Sequence, residues 1–170
     1  DKFTYIEVHG HDMKKVLFVC TGNTCRSPIA EGIFNTLAEN MGIDARAESR
    51  GLSAFEGSRA SENAIIAASF HGADINSHRS SIVAFEDVEN ADKVIGMTEG
   101  HVSALRSMFP QFRDKIYPMP YEDIPDPFGG NLETYKYTAT RIRAAVEHLI
   151  KTLKDDGTEE DGSKNNSDDG

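Results

Sequence analysis

The stretch VLFVCTGNTCRSPIAEGIF, Val16 to Phe34, passes from an apolar run into a helical pattern through one short loop. Val16–Val19 is continuously apolar, the signature of a strand buried on both faces. Ser27-Pro28 reads as a helix N-cap with proline at the first helical position. Ile29, Ile33, Leu37 and Met41 then recur at helical spacing, with Gly42 placed to end the helix. The loop between strand and helix holds both cysteines of the chain, Cys20 and Cys25, together with Gly22, Asn23 and Arg26.

Outward from this stretch the chain keeps alternating. A second strand fits Ala45–Leu52, a helix Ser61–Phe70 closed by His71-Gly72, and a short helical piece Phe85–Asn90. Asp92–Met97 fits a third strand, His101–Met108 a helix, and KIYPM a short fourth strand whose Pro118 marks its end or a sheet edge. A last helix begins after Asn131, with Ile142, Val146, Leu149, Ile150 and Leu153 on one face. Without repeats or a linker, this order predicts a single α/β domain: a four-stranded parallel sheet with helices on both faces. Ligands bind such sheets beyond the carboxyl ends of the strands, where the Cys20 loop lies.

Hydrophobic residues make up 38% and charged residues 27% of 170, which allows one globular domain with a real core. The net charge of −10 argues against nucleic acid as partner. No apolar run approaches the roughly 18 residues that span a membrane. Two cysteines in one loop do not resemble a secreted disulfide framework, so a cytoplasmic setting is expected. Residues 155–170 carry seven acids and one lysine and are expected to be disordered. Residues 1–12, including His9 and His11, read as a flexible leader before Met13, and the domain proper as residues 13–154.

The loop itself points to phosphate. A helix N-terminus presents unpaired N–H groups and a partial positive charge. A tight turn through Thr21, Gly22, Asn23, Thr24 and Cys25 can aim further N–H groups at the same point, and Gly22 would supply unusual backbone angles. Arg26 adds a planar fork for two phosphoryl oxygens. Cys20 at the base of this cup is then a nucleophile aimed at phosphorus, in a field that favours an ionised sulfur. Ser27 can donate its proton to that sulfur while its oxygen caps the helix. The nucleotide-binding glycine loops are absent, and a C-x4-C pair without nearby histidines is a weak metal site, so neither cofactor nor metal is expected.

VCTGNTCRSP resembles the C-x5-R-S loop of the low-molecular-weight protein tyrosine phosphatase family. DIPDPFGG, Asp123–Gly130, resembles that family's late D-P-[FY] loop, and SHRS at Ser77–Ser80 stands in the family's usual place. The likeness runs from about Lys14 to Leu153. It implies Cys20 as nucleophile, Arg26 as phosphate clamp, Asp126 as general acid, and Ser27 as stabiliser of the sulfur anion. It further implies that Asn23 and His78 support the loop and that Phe128 forms a wall of the substrate cleft. Two readings of Cys25 stand: it packs, or it forms a reversible disulfide with Cys20 under oxidation.

Thr24 replaces the aliphatic residue common in tyrosine-directed members. CTGNTCRSP with DPFGG is closer to the bacterial branch that includes protein arginine phosphatases, in which this threonine helps select phosphoarginine. The expectation is therefore a monomeric phosphoprotein phosphatase leaning to phosphoarginine, with phosphotyrosine as the alternative. An arsenate reductase would use further cysteines beyond the loop, and the chain has none. A non-catalytic phosphate-binding module remains a third possibility.

Overall fold

β1 (Lys14–Cys20) is buried from Val16 onward because it has a neighbour on each side and a helical layer on each face. In a computed structural model, which describes residues 13–162, it pairs in parallel with β2 (Ala45–Gly51) and with β3 (Lys93–Gly96). β3 in turn pairs in parallel with β4 (Ile116–Pro118), so the order is β2-β1-β3-β4. As an edge strand β2 needs only one apolar face, and Ala45, Ala47 and Ser49 are buried while Arg46 and Glu48 are exposed. Pro118 is the last residue of the other edge strand, where a missing N–H does no harm.

Alternation along β1 divides the interior in two. Val16, Phe18 and Cys20 face a core formed with α1 (Arg26–Asn40), α2 (Glu62–Ser69) and α5 (Leu132–Gly162). Leu17 and Val19 face a smaller core with Val88 of α3 (Phe85–Asn90) and Val102 and Leu105 of α4 (Glu99–Met108). Helices therefore cover both faces. Strand β1 connects onward to β2 on one side and lies against β3 on the other, so its carboxyl end is a topological switch point. That end is Cys20.

Two helix starts differ from expectation. α1 begins at Arg26 with Cys25 at the N-cap position and no side-chain cap. Ser27 is thus the second helical residue and Pro28 the third, and the Ser27 hydroxyl is engaged elsewhere. A capping side chain would consume the very N–H groups that an anion needs. α4 begins at Glu99 rather than His101, because Thr98 accepts a hydrogen bond from the His101 N–H. α2 begins at Glu62, with Ser61 as its N-cap accepting a hydrogen bond from the Ala64 N–H.

α5 runs 31 residues, through Leu153 to Gly162, so residues 155–162 of the acidic tail are helical rather than disordered. Extending a packed helix adds one hydrogen bond per residue with no new nucleation cost, and Lys93 holds Asp156 at 3.6 Å. The expected leader, residues 1–12, and residues 163–170 lie outside the described residues.

Gly51 lies opposite Cys20 in the β1–β2 register. A Cβ there would stand 2.5 Å from the Thr21 carbonyl oxygen and 3.1 Å from the Asn23 Cβ. Gly51→Ala should therefore destabilise the domain by about 1–3 kcal/mol, as overpacking does, and distort the loop. Denaturant unfolding checks this; unchanged stability would mean that the loop does not need the space.

Candidate active site

Five residues link Cys20 to the start of α1, and the carbonyl groups of Thr21, Asn23 and Thr24 among them are tied outward, as is that of Cys20. The Cys20 carbonyl accepts from the Leu52 N–H at 2.9 Å, Thr21 from Ser53 at 2.9 Å and Thr24 from Ser61 at 2.9 Å. The Asn23 carbonyl accepts from His78 Nε2 at 2.8 Å, which places the proton of that ring on Nε2. In a trans peptide the N–H points opposite to the C=O. The amides of Gly22 and Cys25, which follow the tied carbonyls of Thr21 and Thr24, therefore face the inner side, as does that of Thr24 after Asn23. Together with the open N-terminus of α1 they form a cup of donors.

The backbone turns at Asn23, which adopts φ 57°, whereas Gly22 stays outside the left-handed region. The unusual angle expected of the glycine thus belongs to its neighbour, a residue type that tolerates it. The buried Asn23 side chain locks the turn: Nδ2 donates to Ser27 Oγ at 2.8 Å and Ser49 Oγ at 3.0 Å, and Oδ1 accepts from the Ser81 N–H at 3.0 Å. The whole network joins β1, α1, β2 and the segment before α3. His78 touches this network from outside the cup. Burial, helped by Arg50 and Arg79, lowers its pKa against the raising effect of the Asn23 bond.

Cys20 Sγ lies 2.9 Å from Ser27 Oγ and accepts the Asn23 N–H at 3.3 Å. Since Ser27 Oγ already accepts from Asn23, its own proton is free to point to the sulfur, which is nearer than the alternative acceptor, the Arg50 carbonyl at 3.4 Å. Two donors converge on one sulfur.

Arg26 is buried, with Nη1 donating to the Ile124 carbonyl at 2.9 Å and Nη2 3.7 Å from Asp126 Oδ2. Asp126 is half exposed, its other oxygen accepting the Phe128 N–H at 3.1 Å. Cys20, Thr21, Gly22, Asn23, Thr24, Cys25, Arg26, Asp126 and Phe128 line one depression. Phe128 stands at its rim, 80% exposed. Ser27 lies beneath it, against the sulfur, and His78 behind it. Both thiols are free, and Cys25 Sγ packs 3.4 Å from Tyr135 Oη and 3.5 Å from Ser61 Oγ. Burial, with the Cys25 contact, pushes the Tyr135 hydroxyl up to about 12. Among the described residues no cluster of three His, Cys, Asp or Glu side chains could hold a metal.

One residue of the site carries no signal in the sequence. His101 is buried, with Nε2 2.9 Å from Thr21 Oγ1 and Nδ1 3.0 Å from Thr98 Oγ1, tying the loop to the start of α4. Burial first and the Arg26 guanidinium second lower its pKa to about 4, against the pull of Asp123 and Asp126. The unfolded chain takes up this proton near pH 6.5 and the folded chain only near 4, so stability falls as pH drops through that window. In His101→Gln the decline should flatten but persist, because His78 also resists protonation. Unfolding curves between pH 7 and 4 read this out; an equally steep decline would contradict a neutral, buried His101.

Known proteins resemble this chain along most of its length. The sequence profile of the low molecular weight phosphotyrosine protein phosphatase family matches residues 15–159. A protein-arginine-phosphatase of Bacillus subtilis is 37% identical over 147 residues, covering 83% of this chain and 97% of that protein. The low molecular weight protein-tyrosine-phosphatase PtpB of Staphylococcus epidermidis is 34% identical over 140 residues, covering 79% and 96%. Among solved structures, a low molecular weight protein tyrosine phosphatase from T. tengcongensis superposes with a TM-score of 0.79 at 41% identity, over 82% and 99% of the two chains. A YwlE arginine phosphatase mutant with a phosphorylated active-site serine gives 0.79 at 36% identity, over 82% and 95%. The profile match across residues 15–159 and relatives more than 30% identical over most of the chain place it plainly: this chain belongs to the low molecular weight phosphotyrosine protein phosphatase family.

Proposed function

We propose that this phosphatase removes phosphoryl groups from protein side chains through a phosphocysteine at Cys20, with phosphoarginine as its preferred substrate. The observation that carries this reading is the outward anchoring of the loop carbonyls, which leaves inward amides above a sulfur that receives two hydrogen bonds. Such a cup suits three equatorial phosphoryl oxygens, whose charge spreads in the transition state.

Cys20 Sγ attacks phosphorus in line as the bond to the side-chain nitrogen or oxygen breaks, and Asp126 delivers a proton to that leaving atom. Arg26 has one Nη engaged by Ile124 and keeps its other donors for the phosphoryl oxygens. Water then attacks the phosphocysteine, giving its proton to Asp126 and releasing inorganic phosphate and the Cys20 sulfur anion. Ser27 and Asn23 steady that anion, and His78 holds the Asn23 peptide in place. The phosphorylated serine in the YwlE mutant fits covalent transfer to the equivalent position of that relative.

Thr24 supports the arginine preference. It lines the depression with a small, partly polar surface that suits a guanidinium, where a bulkier aliphatic side chain would pack on an aromatic ring. The arginine phosphatases among the relatives point the same way. The exposed ring of Phe128 favours phosphotyrosine as the second reading, since it offers an aromatic face at the rim. We take residues 13–154 as the catalytic domain, acting as a monomer in the cytoplasm on protein rather than nucleic acid. Two free thiols and an acidic balance support that setting; no helix among the described residues is long and apolar enough to cross a membrane.

Side-by-side assays on phosphoarginine and phosphotyrosine peptides should show the higher kcat/KM for phosphoarginine. Thr24→Ile should shift the ratio of kcat/KM values toward phosphotyrosine by about tenfold, the scale of a change of one or two methyl groups in a pocket. A ratio that stays put would remove Thr24 from selectivity.

A further inference from the structure

The proton donor assigned above sits on a loop fastened to neighbouring elements. Residues 119–131 connect β4 to α5, and the Asp126 side chain near their middle is 52% exposed; it accepts the Phe128 N–H and lies 3.7 Å from Arg26 Nη2. Its direction is therefore set by the backbone leading to it. That backbone passes through Tyr121 at φ 75°, a left-handed conformation which costs a bulky side chain energy and persists only when the surroundings enforce it.

Three anchors to other elements supply the enforcement. Ile124 is buried, donating its N–H to the Met97 carbonyl at 2.9 Å and accepting from Arg26. Asp123 Oδ1 accepts the Glu99 N–H at the start of α4 at 2.9 Å. The third is Arg141, three turns along α5. Its Nη2 donates to the Asp123 carbonyl at 3.0 Å and lies 2.9 Å from Glu122 Oε1, and its guanidinium lies 5.7 Å from the centre of the Tyr137 ring. The side chain is 20% exposed, so it is packed along its length rather than waving in solvent. It grips the backbone on the peptide immediately before Ile124, between the strained turn and Asp126.

We propose that Arg141 is a positioning residue for proton transfer: by fixing the 122–124 backbone from α5, it aims Asp126 at the leaving atom. This rests on Asp126 being the acid. Arg141 contacts neither the sulfur nor the amide cup; the backbone it fixes leads to Asp126 and also carries the Ile124 carbonyl that holds Arg26, and only the path through Asp126 makes the loss depend on the leaving group. Removing it leaves the amide cup and Cys20 intact but loosens the donor, and small misplacements of a reacting group cost up to about 10²-fold in rate.

The test compares kcat/KM, which covers steps up to phosphorylation of the sulfur, for aryl phosphates of graded leaving-group pKa. Arg141→Ala should slow phenyl phosphate about tenfold while barely affecting 2,4-dinitrophenyl phosphate, whose leaving group needs no proton. Arg141→Lys, which keeps the charge and a donor, should recover most of the loss; Arg141→Gln should resemble Ala. Asp126→Ala should show a steeper dependence, and adding Arg141→Ala to it should cost nothing further. Equal slowing of all substrates by both Arg141→Ala and Arg141→Gln, or no slowing, would overturn the inference while leaving Asp126 in place. A flat leaving-group dependence in Asp126→Ala would instead remove Asp126 as the acid, and the inference with it.

Discussion

Asn23 joins four parts of the molecule through one side chain and one carbonyl. Its amide nitrogen reaches the hydroxyl groups of Ser27 and Ser49, its amide oxygen receives the Ser81 N–H, and its carbonyl receives His78. With its N–H given to Cys20 Sγ, every polar atom of this buried residue is satisfied, which a left-handed backbone in the interior requires. If the carbonyls of the loop were not fixed outward, peptide planes would be free to flip and present oxygen to an approaching anion. The rigidity of the cup is a consequence of hydrogen bonds made on its far side.

The sheet brings those far-side partners into place. β2 and the segments around Ser61 and Ser81 come to the carboxyl end of β1, where parallel order and a switch point open a crevice. Gly51 gives the loop room on one side, and His101 binds Thr21 on the other. The acid loop is secured separately, by Ile124, Asp123 and Arg141, and meets the cup through Arg26. The nucleophile and the proton donor thus stand on separate loops that share Arg26 and the start of α4.

Much of this could be read in the chain itself, where the relevant physics is local. The apolar run of β1, the helical spacing after Pro28 and the loop pattern between them identify strand, helix and anion site at once. Local reasoning failed where tertiary contacts decide. Ser27 looks like an N-cap, but Asn23 and Cys20 claim its hydroxyl. Gly22 looks like the residue of unusual conformation, but only Asn23 has a side chain that can fasten the turn. His101 and Arg141 lie 80 and 18 residues from the backbone or side-chain groups they hold, and no spacing rule relates them. The acidic run after Lys154 reads as unstructured by composition, yet a packed helix carries it to Gly162.

Catalysis at Cys20 requires the backbone amides above it to act as the anion site, and these can be watched one by one. Inorganic phosphate titrated into the isotopically labelled protein should move the amide resonances of Gly22, Thr24, Cys25 and Arg26 together, along one saturable curve. Scattered shifts on the surface with this loop unmoved would contradict it.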